Sequence, residues 1–234
     1  MIRRDTNTLG RAAEHSARSV MTELTGHHLQ APEDVEATLT AITTAAVGLI
    51  DGVDYADVML VADEKVESRA PTDPIVADLD AVQLRLNEGP CLKAAITDTV
   101  ISCPNLANDP RWPGFAAAAI DAGVHSMLSF PLYKHRGGGG ALNLMGSTIE
   151  AMDYADHAIA AMLATHAAVA LMAADRLRQF QAALASRDLI GQAKGIVMER
   201  FNVDAQRAFE LITKLSQETN TPVRTIAGKI AEAG

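Results

Sequence analysis

The chain has 234 residues, 48% of them hydrophobic and only 4% aromatic, with a formal net charge of −9. That is more chain than one average domain requires, and the alanine-rich apolar stretches favour helices packed through small side chains over an aromatic-rich β-protein. The charge is split: residues 1–175 hold 11 Lys and Arg against 23 Asp and Glu (−12), whereas residues 176–234 hold 9 against 6 (+3), so nucleic acid is excluded from the acidic body but not from the basic tail.

Residues 1–31 are polar and lack sustained periodicity, which predicts a mobile arm or a short partner helix in front of the first domain. Arg3, Arg4, Arg11 and Arg18 are not followed by the apolar run of a secretion signal, so a cytoplasmic location is expected. His27 and His28 stand together, but no Cys, Asp or Glu at ligand spacing accompanies them, and no metal site is expected. From Pro32 the spacing of Val35, Leu39, Ile42, Ala46 and Leu49 predicts a helix running to Gly52. Residues 55–62 are a compact β-favouring run ending in an Asp-Glu-Lys turn. Short helices are expected at 74–86, 89–97 and 110–122.

Residues 124–133 and 141–147 flank 134–140 as the strands of a hairpin would, and Gly137 to Gly140 are expected at its tip. A phosphate-cradling role for these glycines is not expected, because no Lys-Ser or Lys-Thr follows and no helix opens there. The pattern up to this point is α+β with an antiparallel sheet, not alternating βα units. Cys91 and Cys103 are too few for a disulfide framework and are expected to be reduced, buried core thiols, with a redox or ligand-attachment role for Cys91 as the alternative. Met59, Val61, Leu128 and Leu144 suit either a ligand cavity or plain core packing.

From Asp153 to about Arg200 the chain reads as one uninterrupted helix, with no proline and with glycine only at 191 and 195. Its most apolar part, 158–174, is interrupted by Thr165 and His166 and falls short of the roughly 20 strongly apolar residues of a spanning helix, so a packed helix and no membrane contact are expected. Leu163, Ala170, Leu177 and Leu184 recur every seven residues, with Ala173 and Phe180 at the complementary position. That predicts a short coiled-coil seam, imperfect at His166 and Arg187, and a homodimer. Asp204 is placed to cap a second helix carrying Ala208, Phe209, Ile212 and Leu215. Thr221 and Pro222 open a third, carrying Val223, Ile226, Ala227 and Ile230.

Two stretches resemble known families. The run from Ser186 through Gln192-Ala193-Lys194-Gly195-Ile196 to Met198-Glu199-Arg200, followed by Ala208-Phe209, Leu215-Ser216 and Ile226-Ala227, resembles an ANTAR domain, the RNA-binding output module of bacterial transcription antiterminators. Residues 32–172 resemble a GAF sensory domain through Asn87-Glu88-Gly89-Pro90-Cys91, Asp109-Pro110-Arg111-Trp112-Pro113, Gly123-Val124-His125-Ser126 and Gly140-Ala141-Leu142-Asn143-Leu144. The resemblance implies an arm at 1–31, a sensory domain at 32–172, and a linker helix with a three-helix RNA-binding bundle at 173–234. It also implies a dimer bound to a pair of stem-loops in a nascent transcript, where binding prevents a terminator from forming. The sensory domain would take a small molecule of unknown identity or a signalling protein partner, and no cofactor is evident.

Helical spacing gives the RNA reading a physical basis. Positions 187, 191, 194 and 198 fall along one side of the long helix, and 190, 193, 197 and 201 along a neighbouring one. If Ile190, Val197 and Phe201 pack inward, Arg187, Gly191 and Lys194 face outward. Two glycines within five residues cost about 1 kcal/mol each in a helix interior and suggest a close approach by another backbone. Lys194 and Arg187 are then candidates for phosphate contacts and Gln192 for amide hydrogen bonds beside the flat Gly191 and Gly195. Arg200, Arg224 and Lys229 would widen the footprint. A catalytic role is not expected: neither Glu88 beside Cys91 nor His125 beside Ser126 has a paired base, an oxyanion donor or a metal cluster to complete it. A DNA-binding helix-turn-helix and a sensor acting through protein partners are the competing readings.

Overall fold

A computed structural model describes residues 34–63, 65–135 and 138–233. The expected arm at 1–31, with His27 and His28, lies outside the described residues, as does Gly137. Contacts divide the chain into two units, Met1–Ala174 and Asp175–Gly234.

The first unit is built on a five-stranded antiparallel sheet: β1 (Tyr55–Ala62), β2 (Lys65–Arg69), β3 (Ile101–Cys103), β4 (Ser126–His135) and β5 (Gly138–Gly146), in the order β2-β1-β5-β4-β3. Alternation along the strands gives the sheet two apolar faces. Ala56 and Val58 of β1, Leu142 and Leu144 of β5 and Leu128 and Phe130 of β4 share one face. There they meet Leu39, Ile42 and Ala46 of α1 (Val35–Leu49) and Ala160, Leu163 and Ala167 of a 48-residue helix, α5 (Tyr154–Phe201). Met59, Val61, Ala141, Met127 and Met145 face the other way, under α2 (Pro74–Leu86), α3 (Pro90–Thr97) and α4 (Pro113–Asp121). Met59 and Val61 therefore lie on the opposite face from Leu128 and Leu144, and the four cannot line one cavity.

The glycines expected at a hairpin tip are strand residues. Gly138 pairs with Ala62, Gly139 with Val61 and Gly140 with Leu60. A Cβ on Gly138 would overlap the carbonyl of Val61, and one on Gly139 the carbonyl of Ala95 at the end of α3, so glycine here lets a helix rest directly on the sheet. Both β2 and β3 went unread because they are short and half-exposed at the two sheet edges. Pro131 sits in β4 beyond the last residue pair with β3, and the register with β5 shifts between Pro131 and Tyr133. The first helix stops at Leu49 instead of Gly52, with Ile50 extended as its C-cap.

α5 is long and apolar enough, by length and composition, to cross a membrane, which corrects the expectation that it falls short. In the first unit its apolar side is spent on the sheet: Ala160, Leu163, Ala164, Ala167 and Leu171 are buried.

The second unit consists of the end of α5, α6 (Ala205–Glu218) and α7 (Val223–Glu232). Asn202, in the left-handed conformation, ends α5, and the Asp204 carboxylate accepts a hydrogen bond from the Arg207 amide at 2.8 Å to start α6. Thr221 does not cap α7 as expected. Pro222 holds the N-cap position, and the Thr221 hydroxyl donates to the Thr219 carbonyl.

Candidate functional site

The core of the second unit is small. Ala193 and Val197 of α5, Ala208 and Ile212 of α6, and Ile226 and Ala227 of α7 are its buried residues, with Leu189 and Ile190 partly buried beside them. Helical periodicity then turns the other side of α5 outward. Arg187, Gly191, Gln192 and Gly195 are exposed and Lys194 is half-buried. A Cβ built on Gly191 or Gly195 would meet no atom of the described residues within 4 Å, so none of their backbones supplies the close approach that two helical glycines suggest. What they leave is a flat strip of helix backbone between basic side chains.

The cations of this unit fall into two groups. Arg178, Arg207 and Lys214 are paired with Asp175, Glu210 and Glu218 one turn away. Among the described residues, Arg176, Arg187, Lys194, Arg200, Arg224 and Lys229 have no carboxylate within 4.0 Å. Unpaired cations of this kind are what a polyanion engages without first breaking an ion pair. Arg176 was not among the residues singled out by sequence, because nothing local distinguishes it from its paired neighbour Arg178.

Phe201 does not pack inward as expected; it is 62% exposed. It stands at the edge of an apolar groove of about 460 Å³ lined by residues of α5, α6 and α7. Arg200 and Lys229 line the same groove, so these two candidates come together, while Arg224 is exposed elsewhere on α7. The groove had no sequence signal beyond an excess of apolar residues over what a three-helix core of this size buries.

The expected dimer seam is also redrawn. Leu163 and Ala170 are buried within the first unit, because that side of α5 faces its own core. Ala173 and Leu177 are half-buried, whereas Phe180 and Leu184 are exposed. In the first unit the large exposed apolar side chains of α5, among the described residues, are Met162 and Val169, each one residue before Leu163 and Ala170, and Met172.

Under α2 and α3 the sensory unit holds a buried polar row. Asp57, Asn143 and Ser129 are register partners across β1, β5 and β4. Asp57 accepts hydrogen bonds from Asn143 and from Ser68, both at 2.9 Å, and lies beside the carboxyl of Asp80 of α2. Burial pushes both carboxyls above the ordinary range, Asp80 the further of the two, because the Asp57 charge adds to it. Asp80 Oδ2, Asn143 Oδ1 and Ser126 Oγ are buried without a hydrogen-bond partner among the described residues.

The family-like motifs of this unit hold its helices together. The Gln83 side-chain carbonyl accepts from the amides of Cys91, at 2.9 Å, and Leu92, at 3.3 Å, capping α3 from α2. Gly89 has φ +140°, and a Cβ there would overlap Gln83. The Glu88 carboxylate accepts from the Phe115 amide at 2.6 Å and so caps α4. Asp109 accepts from the Arg111 guanidinium, which holds its carboxyl well below the usual carboxylate range, and from the Cys103 thiol at 3.0 Å. Arg111 also donates to the Ser102 carbonyl at 2.8 Å and lies 4.1 Å over the Trp112 ring. That knot occupies 109–112 and delays the start of α4 to Pro113, three residues later than expected. Burial, then Asp109, pushes the Cys103 thiol up to about 12, and burial raises the Cys91 thiol well above its ordinary value. Both are protonated at neutral pH and poor nucleophiles. Among the described residues no three His, Cys, Asp or Glu side chains converge to hold a metal.

Comparison with known proteins gives each unit a relative. A family model described as "GAF domain" matches residues 32–172, and one described as "ANTAR domain" matches residues 178–230. No curated protein matches the chain. Among solved structures, the chain is similar to the N-acylhomoserine lactone-dependent LuxR-family transcription factor CepR2 of Burkholderia cenocepacia, at 20% identity over 68% of this chain and 96% of that one, with a TM-score of 0.54. It is also similar to the GAF domain of an Acinetobacter phosphoenolpyruvate-protein phosphotransferase, at 14% identity over 69% of this chain and 93% of that one, with a TM-score of 0.53. At these identities the likeness shows the fold.

Proposed function

The chain belongs to the GAF domain family and ends in an ANTAR domain, which makes it a signal-responsive regulator, and on that premise we propose that it binds stem-loop RNA as a homodimer and acts in transcription antitermination. The observation that carries the reading is the outward strip of α5 inside the ANTAR match, where Arg187 and Lys194 flank Gly191 and Gly195 without carboxylate partners. Phosphate contacts from such a strip position an RNA, and splayed loop bases lie against a surface without side chains. Dimerisation through the exposed apolar residues of α5 would present one such strip per copy to each of two tandem stem-loops.

In this reading the GAF domain supplies the input, either a small molecule or a partner protein. α5, which contributes residues to both units, carries the consequence to the RNA-binding end. In the same reading the protein works in the cytoplasm and without catalysis, and the buried, protonated Cys91 and Cys103 are core residues, not nucleophiles. Titration of the purified chain with a tandem-hairpin RNA and a scrambled control, with dimer content followed in parallel, tests it. Selective, salt-sensitive binding by a dimer is expected. Equal affinity for both RNAs sinks the reading. Competition by duplex DNA at similar strength would point instead to a helix-turn-helix regulator.

A further inference from the structure

Some 460 Å³ of apolar groove stands open on the second unit, and none of the described residues fills it. Val197, Ile212 and Ile226 form the deepest part, all at least nine-tenths buried, while the Phe201 ring at the edge is 62% exposed. The two polar side chains in the lining are Arg200 and Lys229, both cationic, both exposed and both without a carboxylate partner among the described residues. The groove thus offers one exposed aromatic face, an apolar floor and two positive charges.

That combination selects among occupants. A purely apolar partner would leave Arg200 and Lys229 unmatched, and a free inorganic anion would leave the apolar floor wet. A flat aromatic group attached to anions satisfies both, which is the chemistry of a nucleobase on its phosphodiester: the base stacks and the phosphates meet the cations. Helical spacing supplies a route. Positions 187, 194, 198 and 201 lie on one stripe of α5, at i, i+7, i+11 and i+14, so phosphates held at Arg187 and Lys194 lead along the helix to Phe201. A base in a duplex is stacked on its neighbours and cannot enter, whereas an unpaired loop base is free to swing out. The volume lies in the range of pockets that hold small organic ligands and accommodates a base with its ribose.

We propose that the groove between α5, α6 and α7 takes one unpaired nucleobase of the bound RNA loop, stacked on Phe201, with Arg200 and Lys229 holding the adjacent phosphates. The proposal rests on the RNA-binding reading and assigns it a base-recognition subsite apart from the glycine strip.

The test uses the full chain. A two-hairpin RNA with randomised loops is selected on the protein, and 2-aminopurine is then placed at each loop position of the enriched sequence in turn. At one position the emission should be quenched on binding by wild type but not by Phe201→Ala. Phe201→Ala should also weaken binding roughly five- to hundredfold, the range of one base–aromatic stack, and Phe201→Trp should restore it. Because Phe201 is exposed, both variants should melt with wild type. Lys229→Ala should weaken binding and flatten its salt dependence by about one phosphate contact. If wild type binds the selected RNA and Phe201→Ala and Lys229→Ala bind it equally well, the groove proposal is overturned while the RNA reading stands. If those variants instead lower dimer content and leave RNA affinity unchanged, the groove is a contact between copies of the chain and the proposal is likewise overturned. If selection enriches nothing over the starting pool, the RNA reading itself fails and the groove proposal fails with it.

Discussion

In the sensory unit Gln83, Glu88, Gly89 and Cys91 point inward and are consumed by the fold: two cap helices, one permits a turn and one fills the core. In the ANTAR unit Arg187, Gly191, Gln192 and Gly195 point outward and nothing among the described residues uses them. The first unit closes both faces of its sheet, whereas the second buries a handful of side chains and leaves Phe201, Phe209 and Leu215 in the open. A motif that explains its own packing says little about function. A motif the packing does not need carries information about a partner.

The contrast breaks most visibly at the inward residues. Phe115 is fully buried under Glu88, and Phe115→Ala should cost about 3–5 kcal/mol, lowering the melting temperature of the full chain by roughly 6–20 °C in a calorimetric scan. Gly89→Ala should cost about 1–3 kcal/mol from its backbone conformation and more from displacing Gln83, again read in the melt. An unshifted melt in either variant would mean that the motif is not structural.

Lys194→Ala sharpens the comparison from the other side. It should reduce affinity for a tandem-hairpin RNA several-fold and lower the salt slope by about one, with no change in the melt. A shifted melt with unchanged RNA affinity would make Lys194 a packing residue like those of the first unit.

How much of this was legible follows from the same division. Tyr55–Ala62 and Pro74–Leu86 declared themselves because their own patterns decide them, by β-favouring composition and by helical periodicity. Gly139 did not, since its role depends on the Ala95 carbonyl lying against it, more than 40 residues away in sequence. The glycine strip was readable from spacing alone. Phe201 was not: helical spacing leaves it between the core stripe of Ile190 and Val197 and the stripe of Arg187 and Lys194, and only the fold shows it 62% exposed. Leu163 and Ala170 fitted a heptad equally well as seam or as core, and only the position of the sheet decided between them.

A pH series separates the buried polar row from the rest of the fold. The folded chain keeps the Asp80 proton at pH values where the unfolded chain has released it, since the folded value is raised above 3.8. Stability from this group is therefore full below 3.8 and declines as pH rises through the window up to the raised value. Asp80→Asn should melt a few degrees higher than wild type at pH 7, with the gap closing towards pH 4. A constant gap would assign the effect to packing. The smallest effect concerns the thiols: Cys91 and Cys103 are fully buried, so labelling of native protein at pH 7 should be negligible and should become rapid only in denaturant.

The Gln83 cap also bears on the order in which the chain folds. The first amides of α3 have no acceptor of their own, because Gly89 offers no side chain and Pro90 fixes only the entry angle. Eight residues without a local cap do not hold a helix in water, so α3 should form only after α2 has docked and presented Gln83. In native-state hydrogen exchange the Cys91 and Leu92 amides should then open together with α2, as one cooperative step, and earlier than the strands beneath them.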